Sequence, residues 1–156
     1  MSLLLALTVS FVWGPLRNKV ERRSCESNMT SLHIALRTYL TDHSEWPQMS
    51  DKEFDADDGT EEPFWQWWYN TLKGYGISEN QWMCPADRRE RAANLKPEER
   101  DTFESSYLPT MFESGGMVPY EFMSQPWVIE RGEFHSEGNL MIMPDGRIIP
   151  SPFGKL

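Results

Sequence analysis

The sequence predicts an α+β fold in which a long N-terminal helix packs on a small C-terminal antiparallel sheet. Two observations lead to this prediction. Apolar residues recur at helical spacing in the first forty residues, and short apolar runs bounded by Gly, Pro and Ser occur after residue 105. A helical pattern followed by a series of strands is typical of an α+β architecture. The chain has 156 residues, enough for one domain with its own hydrophobic core.

Residues 1–16 contain no charged side chain, and their apolar run extends from Leu3 to Trp13. A helix needs about 20 apolar residues to cross a bilayer, so this run is too short by itself. It also lacks the basic start and the small-residue cleavage site of a secretory signal peptide. By the positive-inside tendency, basic residues after the run would place the rest of the chain in the cytoplasm. That tendency compares the charges on both flanks of an apolar segment, however, and we expect this segment to begin before this chain. The basic residues after the run are Arg17, Lys19, Arg22 and Arg23.

A regular apolar stripe follows the basic residues. Its members, at intervals of four, three, four and three, are Cys25, Met29, Leu32, Leu36 and Tyr39. This spacing predicts the buried face of a helix that extends from about Leu16 to about Leu40. Pro15 should kink or interrupt the helix upstream, and the Trp46-Pro47 pair should close the segment downstream.

The central part of the chain begins with an acidic loop, Asp51 to Glu62. Its residue order does not match that of an EF-hand, so we expect a solvated turn and no cofactor. Calcium at this loop is the one cofactor that the acidic residues leave open. A short helix is predicted next, with Pro63 in its first turn and Gly74 at its C-terminal cap. Its aromatic residues are expected to fill the core rather than to bind a sugar. Those that share its apolar face or lie beside it are Phe64, Trp65, Trp68 and Leu72.

Residues 82–87 are predicted to form a loop that contains Cys84-Pro85, and the charged stretch 88–100 a short surface helix and a turn. Beyond it, apolar runs predict strands at 106–108, 127–130 and 140–143. A Pro144-Asp145-Gly146 turn then joins the third run to residues 147–150 as a hairpin. The sheet should therefore be antiparallel and small.

The composition excludes some classes of function. The formal net charge is -9, so most of the surface would repel a nucleic acid backbone. Cys25 and Cys84 are the only cysteines, too few for a zinc site of the paired Cys-x-x-Cys type. They are either free buried thiols or a disulfide, and a disulfide requires an oxidising compartment.

Several residues could be assigned to a catalytic or metal site. His135, Ser136 and Asp145 could form a hydrolytic set, and His33 and His43 could be metal ligands. The sequence contains no Gly-x-Ser-x-Gly elbow, His-Glu-x-x-His helix or phosphate-binding loop, so we predict no enzyme activity. A partly buried structural role is the simpler interpretation of His33, and a turn role that of Asp145-Gly146.

A set of short motifs occurs in a particular order along the chain. They are Arg-Arg-x-Cys-x-x-Asn-Met at 22–29, Leu-x-x-Ala-Leu-x-x-Tyr at 32–39, Trp46-Pro47, Cys84-Pro85-Ala86-Asp87, Ser106-Tyr107, His135 with Gly138-Asn139-Leu140, and Asp145-Gly146. In this order the chain resembles the bacterial type II secretion pseudopilins and other prepilin-like proteins. The resemblance extends from Arg22 to Ile149.

The resemblance implies a pilin-like fold with two parts. Residues 1–16 would be an apolar membrane and polymerisation segment, and residues 17–156 one head domain that includes the helix at about 17–40. It implies a non-catalytic structural or accessory subunit of a secretion pseudopilus or type IV pilin-like assembly. Its partners would be other pseudopilin-like subunits, through the N-terminal helix, and the inner membrane before assembly. The head would face the periplasm, where Cys25 and Cys84 would form a disulfide.

The chain departs from the pilin pattern in three places. No Gly-Phe-x-x-x-Glu sequence precedes the apolar run, so Leu3 to Trp13 would correspond to the second half of a pilin-type helix. Either the start is truncated or mis-called, or this chain never enters a pilus. In the hairpin, Arg147 replaces the histidine that is common in the family, and Pro144 precedes the Asp-Gly turn. The alternative function is an extracytoplasmic binding module whose exposed tryptophans hold a carbohydrate or a peptide. A hydrolase is the third alternative.

Overall fold

A computed structural model describes residues 2–49, 62–96, 99, 104–112 and 116–152, with side chains described from residue 14 in the first range and residue 64 in the second. The α-helices are α1 (Ser2–His43), α2 (Glu62–Leu72) and α3 (Pro85–Asn94). The strands are β1 (Tyr107–Pro109), β2 (Val128–Glu130), β3 (Leu140–Ile142) and β4 (Ile148–Pro150). Short 3₁₀ turns occur at Lys73–Tyr75, Glu79–Trp82 and Val118–Tyr120.

The four strands form one antiparallel sheet in chain order, β1-β2-β3-β4. Leu108 pairs with Ile129, and Val128 pairs with Ile142, so each strand is bonded to its neighbours in the sequence. The β3–β4 hairpin closes as predicted, with Gly146 at φ 82° in the turn. A long helix packed on a small antiparallel sheet confirms the α+β prediction.

Helix α1 presents the predicted stripe to the core. Cys25, Met29, Leu32 and Leu36 are completely buried, and Tyr39 is half-buried. The helix is longer than predicted, however, and Pro15 lies inside it without interrupting it. A proline in a helix removes one backbone donor, and the bonds of the surrounding turns can continue past it. The predicted start at about Leu16 is therefore wrong.

Aromatic side chains occupy the centre of the core, between α1, α2 and the sheet. Trp46 and Trp127 meet edge to face with ring centroids 5.1 Å apart. The indole nitrogen of Trp46 donates to the carbonyl of Thr110 at 3.0 Å, which satisfies its polar group. The tryptophans with buried side chains are Trp46, Trp65, Trp68, Trp82 and Trp127.

Two predicted boundaries differ from the structure. The α2 segment continues into a 3₁₀ turn and ends at Gly76, which adopts φ 83°, rather than at Gly74. Residues 85–87 are not a loop, because α3 begins at Pro85. The first N–H groups of a helix make no hydrogen bond within it, so a proline, which has no N–H, is tolerated there.

The acidic loop at 51–61 and its possible calcium lie outside the described residues. Among the described residues, no helix is both long and apolar enough to cross a membrane.

Candidate functional site

A buried disulfide joins α1 to the start of α3. Cys25 lies on the buried stripe of α1, and Cys84 is the residue that precedes α3, held extended by Pro85. Their Cα atoms are 5.3 Å apart and the bond closes a sequence separation of 59. Both side chains are completely buried. The predicted disulfide is confirmed.

His135 and Glu130 lie directly beside the disulfide. The ring atom Nε2 of His135 is 3.6 Å from Sγ of Cys84 and 3.2 Å from Oε1 of Glu130. The other carboxylate oxygen of Glu130 accepts the backbone N–H of Leu140 at 2.8 Å. Glu130 is completely buried and His135 is 7% exposed, so this polar group lies buried inside the head. We call Cys25, Cys84, Glu130 and His135 the buried cluster.

A chain of hydrogen bonds fixes the backbone of Cys84. Its N–H donates to Oγ of Ser106 at 2.8 Å, and the Ser106 hydroxyl donates to Asp87 at 2.6 Å. Asp87 also accepts Nε of Arg91 at 3.1 Å, one turn further along α3. The position of Asp87 in the first turn of α3 is favourable because the N-terminal end of a helix dipole is positive. These contacts hold β1 and α3 in place on one side of the disulfide.

Asn28 connects α1 to the same region from the other side. Its Nδ2 donates to the carbonyl of Met83 at 3.2 Å and to the hydroxyl oxygen of Tyr107 at 3.4 Å. Burial raises the pKa of the Tyr107 phenol, because the charged form would lose its hydration. Asn28 and Tyr107 thus serve as neutral hydrogen-bonding groups that position the segment before Cys84.

His33 forms a separate contact near the hairpin turn. Its Nε2–H donates to the carbonyl of Pro144 at 3.0 Å, and its ring stacks on Trp127 with centroids 4.8 Å apart. Burial lowers the pKa of His33, since the protonated ring would be desolvated. A Cβ on Gly146 would lie 3.3 Å from Cε1 of His33, so a glycine lets the turn approach the ring. The expected structural role of His33 agrees with these contacts.

The structure does not bring together His135, Ser136 and Asp145, the residues considered above as a possible hydrolytic set. Asp145 bonds within its own turn, to the backbone N–H of Arg147 at 3.0 Å and to its guanidinium at 2.6 Å. The hydrogen bond from Arg147 lowers the pKa of Asp145. His135 instead contacts Glu130, and Ser136 is exposed. His43 is exposed and stacks on Tyr39 at 4.0 Å, while His33 bonds the hairpin, so the two do not form a shared metal site.

A surface groove of about 550 Å³ lies beside α3. Three of its charged residues are paired with one another, since Glu104 bonds both Arg91 and Arg131. Burial raises the pKa of Glu104, but the hydrogen bonds and charges of the two arginines lower it further than burial raises it. Arg131 also lies 4.9 Å above the ring of Trp65. The tryptophans near this groove pack into the core and do not offer an open sugar-binding face.

Glu130 is the member of the buried cluster that sequence reasoning missed. The one available signal was its position: it ends an apolar run, and alternation places it on the same side of β2 as the buried Val128. A carboxylate on the inner face of a strand requires partners, because its burial is costly otherwise. Those partners come from segments 5 and 10 residues further along the chain, which the strand pattern alone does not reveal.

No family model, curated protein or solved structure matches this chain.

Proposed function

We propose that this chain is a non-catalytic structural or accessory subunit of a type II secretion pseudopilus or a type IV pilin-like assembly. The observation that supports this most directly is the division of α1 into two parts. Its residues from Cys25 to Leu40 present a buried stripe to the head, whereas those from Pro15 to Val20 are mostly exposed. The first part belongs to the head, and the second is available to contact other helices.

The exposed part of α1 carries apolar side chains on one face. Leu16 is 55% exposed and Val20 is 57% exposed, and their spacing of four places them side by side. Full burial of such a side chain contributes about 1.5–3 kcal/mol, so a bundle of parallel helices would gain from covering this face. The helix continues from there to Ser2 through the apolar run, which extends the same element.

The motif residues on which the resemblance to pseudopilins depends make structural contacts. Cys25 is bonded to Cys84, Asn28 holds the Met83 carbonyl, and Asp87 accepts the hydroxyl of Ser106. Each contact attaches a segment of the head to α1 or to α3. A subunit whose head must remain attached to its assembly helix would need such contacts, and none of them requires chemistry on a substrate.

In this proposal the head lies in the periplasm, and the chain is held at the inner membrane before assembly. The disulfide supports an oxidising location, because such bonds persist outside reducing compartments. Other pseudopilin-like subunits would be the partners, through the N-terminal helix. Of the six tryptophans whose side chains are described, five are buried and Trp67 is partly buried, which weighs against the alternative, a binding module that holds carbohydrate or peptide on exposed tryptophans.

Photo-crosslinking in the native host would test this proposal. A benzoylphenylalanine would replace Val20 in one variant and Ile34 in the other. Both residues are β-branched, lie on α1 and are 57% exposed, so they are matched controls for one another. Beside Ile34, the hydroxyl of Thr38 donates to the backbone carbonyl of Ile34 in the same helix at 2.8 Å.

We expect Val20 adducts to contain a second copy of this chain or another protein with a pilin-type apolar helix, and Ile34 adducts to be at least tenfold rarer. Mass spectrometry of the crosslinked peptides identifies the partner. Equal yields from both positions, or adducts only with proteins that lack such a helix, would contradict the proposal.

A further inference from the structure

We propose that the reduced chain binds one Zn²⁺ ion at the buried cluster, so that a zinc site and the disulfide are alternative cross-links between the same elements. The four ligands are the two thiolates of Cys25 and Cys84, Nε2 of His135 and a carboxylate oxygen of Glu130. These four atoms all lie within 4.8 Å of one another. The inference is independent of the proposed function, because it depends only on these side chains.

Two of the six separations among the ligand atoms are close to those of tetrahedral zinc, and all six are within 4.8 Å. Zinc bonds of about 2.3 Å to sulfur and about 2.0–2.2 Å to nitrogen or oxygen place neighbouring ligand atoms about 3.4–3.8 Å apart. The Cys84 sulfur is 3.6 Å from His135 Nε2, and that nitrogen is 3.2 Å from Glu130 Oε1. Once the disulfide is broken, the two sulfurs need only move from about 2.05 Å to about 3.8 Å apart. Each sulfur therefore moves by about 1 Å, and the backbone can keep its arrangement.

The surroundings hold the ligands in position. Glu130 keeps one oxygen bonded to the N–H of Leu140, which orients the carboxylate and leaves Oε1 directed at His135. The N–H of Cys84 is anchored on Ser106. Outer contacts of this kind orient metal ligands in known metalloproteins. Two thiolates, an imidazole and a carboxylate form a donor set that favours zinc over calcium or magnesium, which prefer oxygen.

A small surface cavity reaches one member of the cluster, His135. It has a volume of about 220 Å³ and is lined by His135 and Ser136 on one side and by Asn18 and Arg22 of α1 on the other. Arg22 donates to the carbonyl of Gly138 at 3.4 Å, which places a positive charge near the loop that carries His135.

The four ligands would carry three negative charges against the two positive charges of zinc. The guanidinium of Arg22 is already paired with Glu26 and Glu137, each at 3.4 Å. The cost of the excess is reduced instead by the position of Cys84 just before α3, at the positive end of the helix dipole.

The conversion balances with a dithiol reductant. The reductant gives two electrons and two protons to the disulfide, the S–S bond breaks, and the reductant becomes a disulfide itself. Zn²⁺ then replaces the two thiol protons, which pass to solvent. In a reducing compartment the zinc would connect α1 to the start of α3, as the disulfide does after oxidation. The chain would thus keep its helix attached to the head in both environments.

A cobalt titration of the full chain tests this inference. The disulfide is reduced with a water-soluble phosphine, which becomes the phosphine oxide with an oxygen atom from water, and Co²⁺ is added without air. We expect one Co²⁺ per chain, with thiolate-to-cobalt charge transfer and tetrahedral visible bands that Zn²⁺ abolishes. The oxidised chain should show no such bands. Glu130→Gln and His135→Gln should each weaken binding at least tenfold.

Two controls and one rescue separate a built site from thiols in an unfolded chain. Glu133→Gln and His43→Gln alter exposed groups and should leave the titration unchanged. His135→Cys supplies a different zinc ligand and should retain binding even where the glutamine variant folds poorly. The inference is overturned if the reduced wild type shows no thiolate–cobalt band, or if Glu130→Gln and His135→Gln bind as it does. It is also overturned if reduction abolishes the helical circular dichroism and zinc does not restore it.

Discussion

The contact between α1 and the rest of the head has two ends with different chemistry. At the disulfide end, Cys25 is bonded to Cys84, and the polar side chains of Glu130 and His135 lie buried beside that bond. At the tryptophan end, Leu36 and the following turn of α1 pack among aromatic rings. Those rings include Trp46 and Trp127, which meet edge to face.

The two ends should respond differently to substitution. The disulfide end depends on particular partners, because a buried polar atom that loses its partner incurs a desolvation cost. The tryptophan end depends on volume and apolar area, because close-packed side chains tolerate neither a cavity nor a charge. Substitutions at each end test this difference, beginning with the largest expected effect.

Leu36→Asp should prevent the head from folding. Leu36 is completely buried among apolar groups, so the new carboxylate would have no partner there. Circular dichroism should show no cooperative thermal transition. Ile34→Asp, on the exposed face two residues earlier, should melt within a few degrees of the wild type. A normal melting temperature for Leu36→Asp would show that the buried face of α1 is wrongly assigned.

Replacing both cysteines, by Cys25→Ala with Cys84→Ala, should lower the free energy of unfolding by about 4 kcal/mol. The bond closes a sequence separation of 59, and its loss gives the unfolded chain more conformations. Urea unfolding under oxidising conditions measures the loss. Reduced wild type with a metal chelator is the matched comparison and should show a similar loss. Equal stability of the variant and the oxidised wild type would mean that polar contacts alone hold this end.

Glu130→Gln should cost about 2 to 3 kcal/mol in the oxidised chain, because the amide cannot accept from both Leu140 and His135 as the carboxylate does. The change preserves the shape of the side chain, so the loss reports on hydrogen bonding rather than packing. Glu133→Gln is the control, since Glu133 is exposed. Equal urea midpoints for the two variants would remove the proposed difference between the ends.

Gly146→Ala should cost about 1 to 2 kcal/mol at the tryptophan end. Gly146 adopts φ 82°, and an added Cβ would lie 3.3 Å from the ring of His33. Gly74→Ala is the control, because a Cβ added there would meet nothing within 4 Å and its φ is not positive. Thermal unfolding of both variants provides the measurement. If Gly74→Ala lost as much stability, the turn geometry would not be the cause.

The smallest expected effect is a loss of stability on mild acidification through His33. Its pKa is lowered in the folded state, so below the ordinary value of about 6.5 the unfolded chain binds a proton that the folded chain does not. The contribution of His33 is therefore complete above that pH and is lost as the pH falls towards the folded pKa. The melting temperature should fall less between about pH 7.5 and about pH 5.5 in His33→Gln than in the wild type. His43→Gln, at an exposed histidine, should behave as the wild type does.

Much of the fold could be predicted from local patterns. The stripe from Cys25 to Tyr39 follows helical spacing, and the strands around Val128, Leu140 and Ile148 follow from short apolar runs bounded by turn residues. Pro15 and Gly74 are misleading signals, because a single proline or glycine can be tolerated when the surrounding hydrogen bonds and packing favour a helical turn. Pro85 is a helix-start signal inside a segment whose other features indicate a loop.

The candidate site is much less accessible from the sequence. The disulfide is expected only through the resemblance to pseudopilins, since the spacing of two cysteines does not reveal whether they meet. Glu130 escapes notice because its partners, His135 and Leu140, reach it only after β2 and β3 pair. His135 is noticeable in the sequence, but sequence reasoning considers it together with Asp145 as part of a possible hydrolytic set. In the fold His135 contacts Glu130, and Asp145 bonds Arg147 instead.

The sequence by itself determined the elements: the buried face of α1, the positions of the strands along the chain and the hairpin turn at Gly146. These depend on periodicity and turn chemistry between near neighbours in the chain. Only the tertiary structure decided which polar groups meet, including Glu130 with His135 beside the disulfide and His33 with the carbonyl of Pro144. The reason is that sheet register and helix packing set those contacts, and the contact of His33 with Pro144 spans 111 residues of sequence.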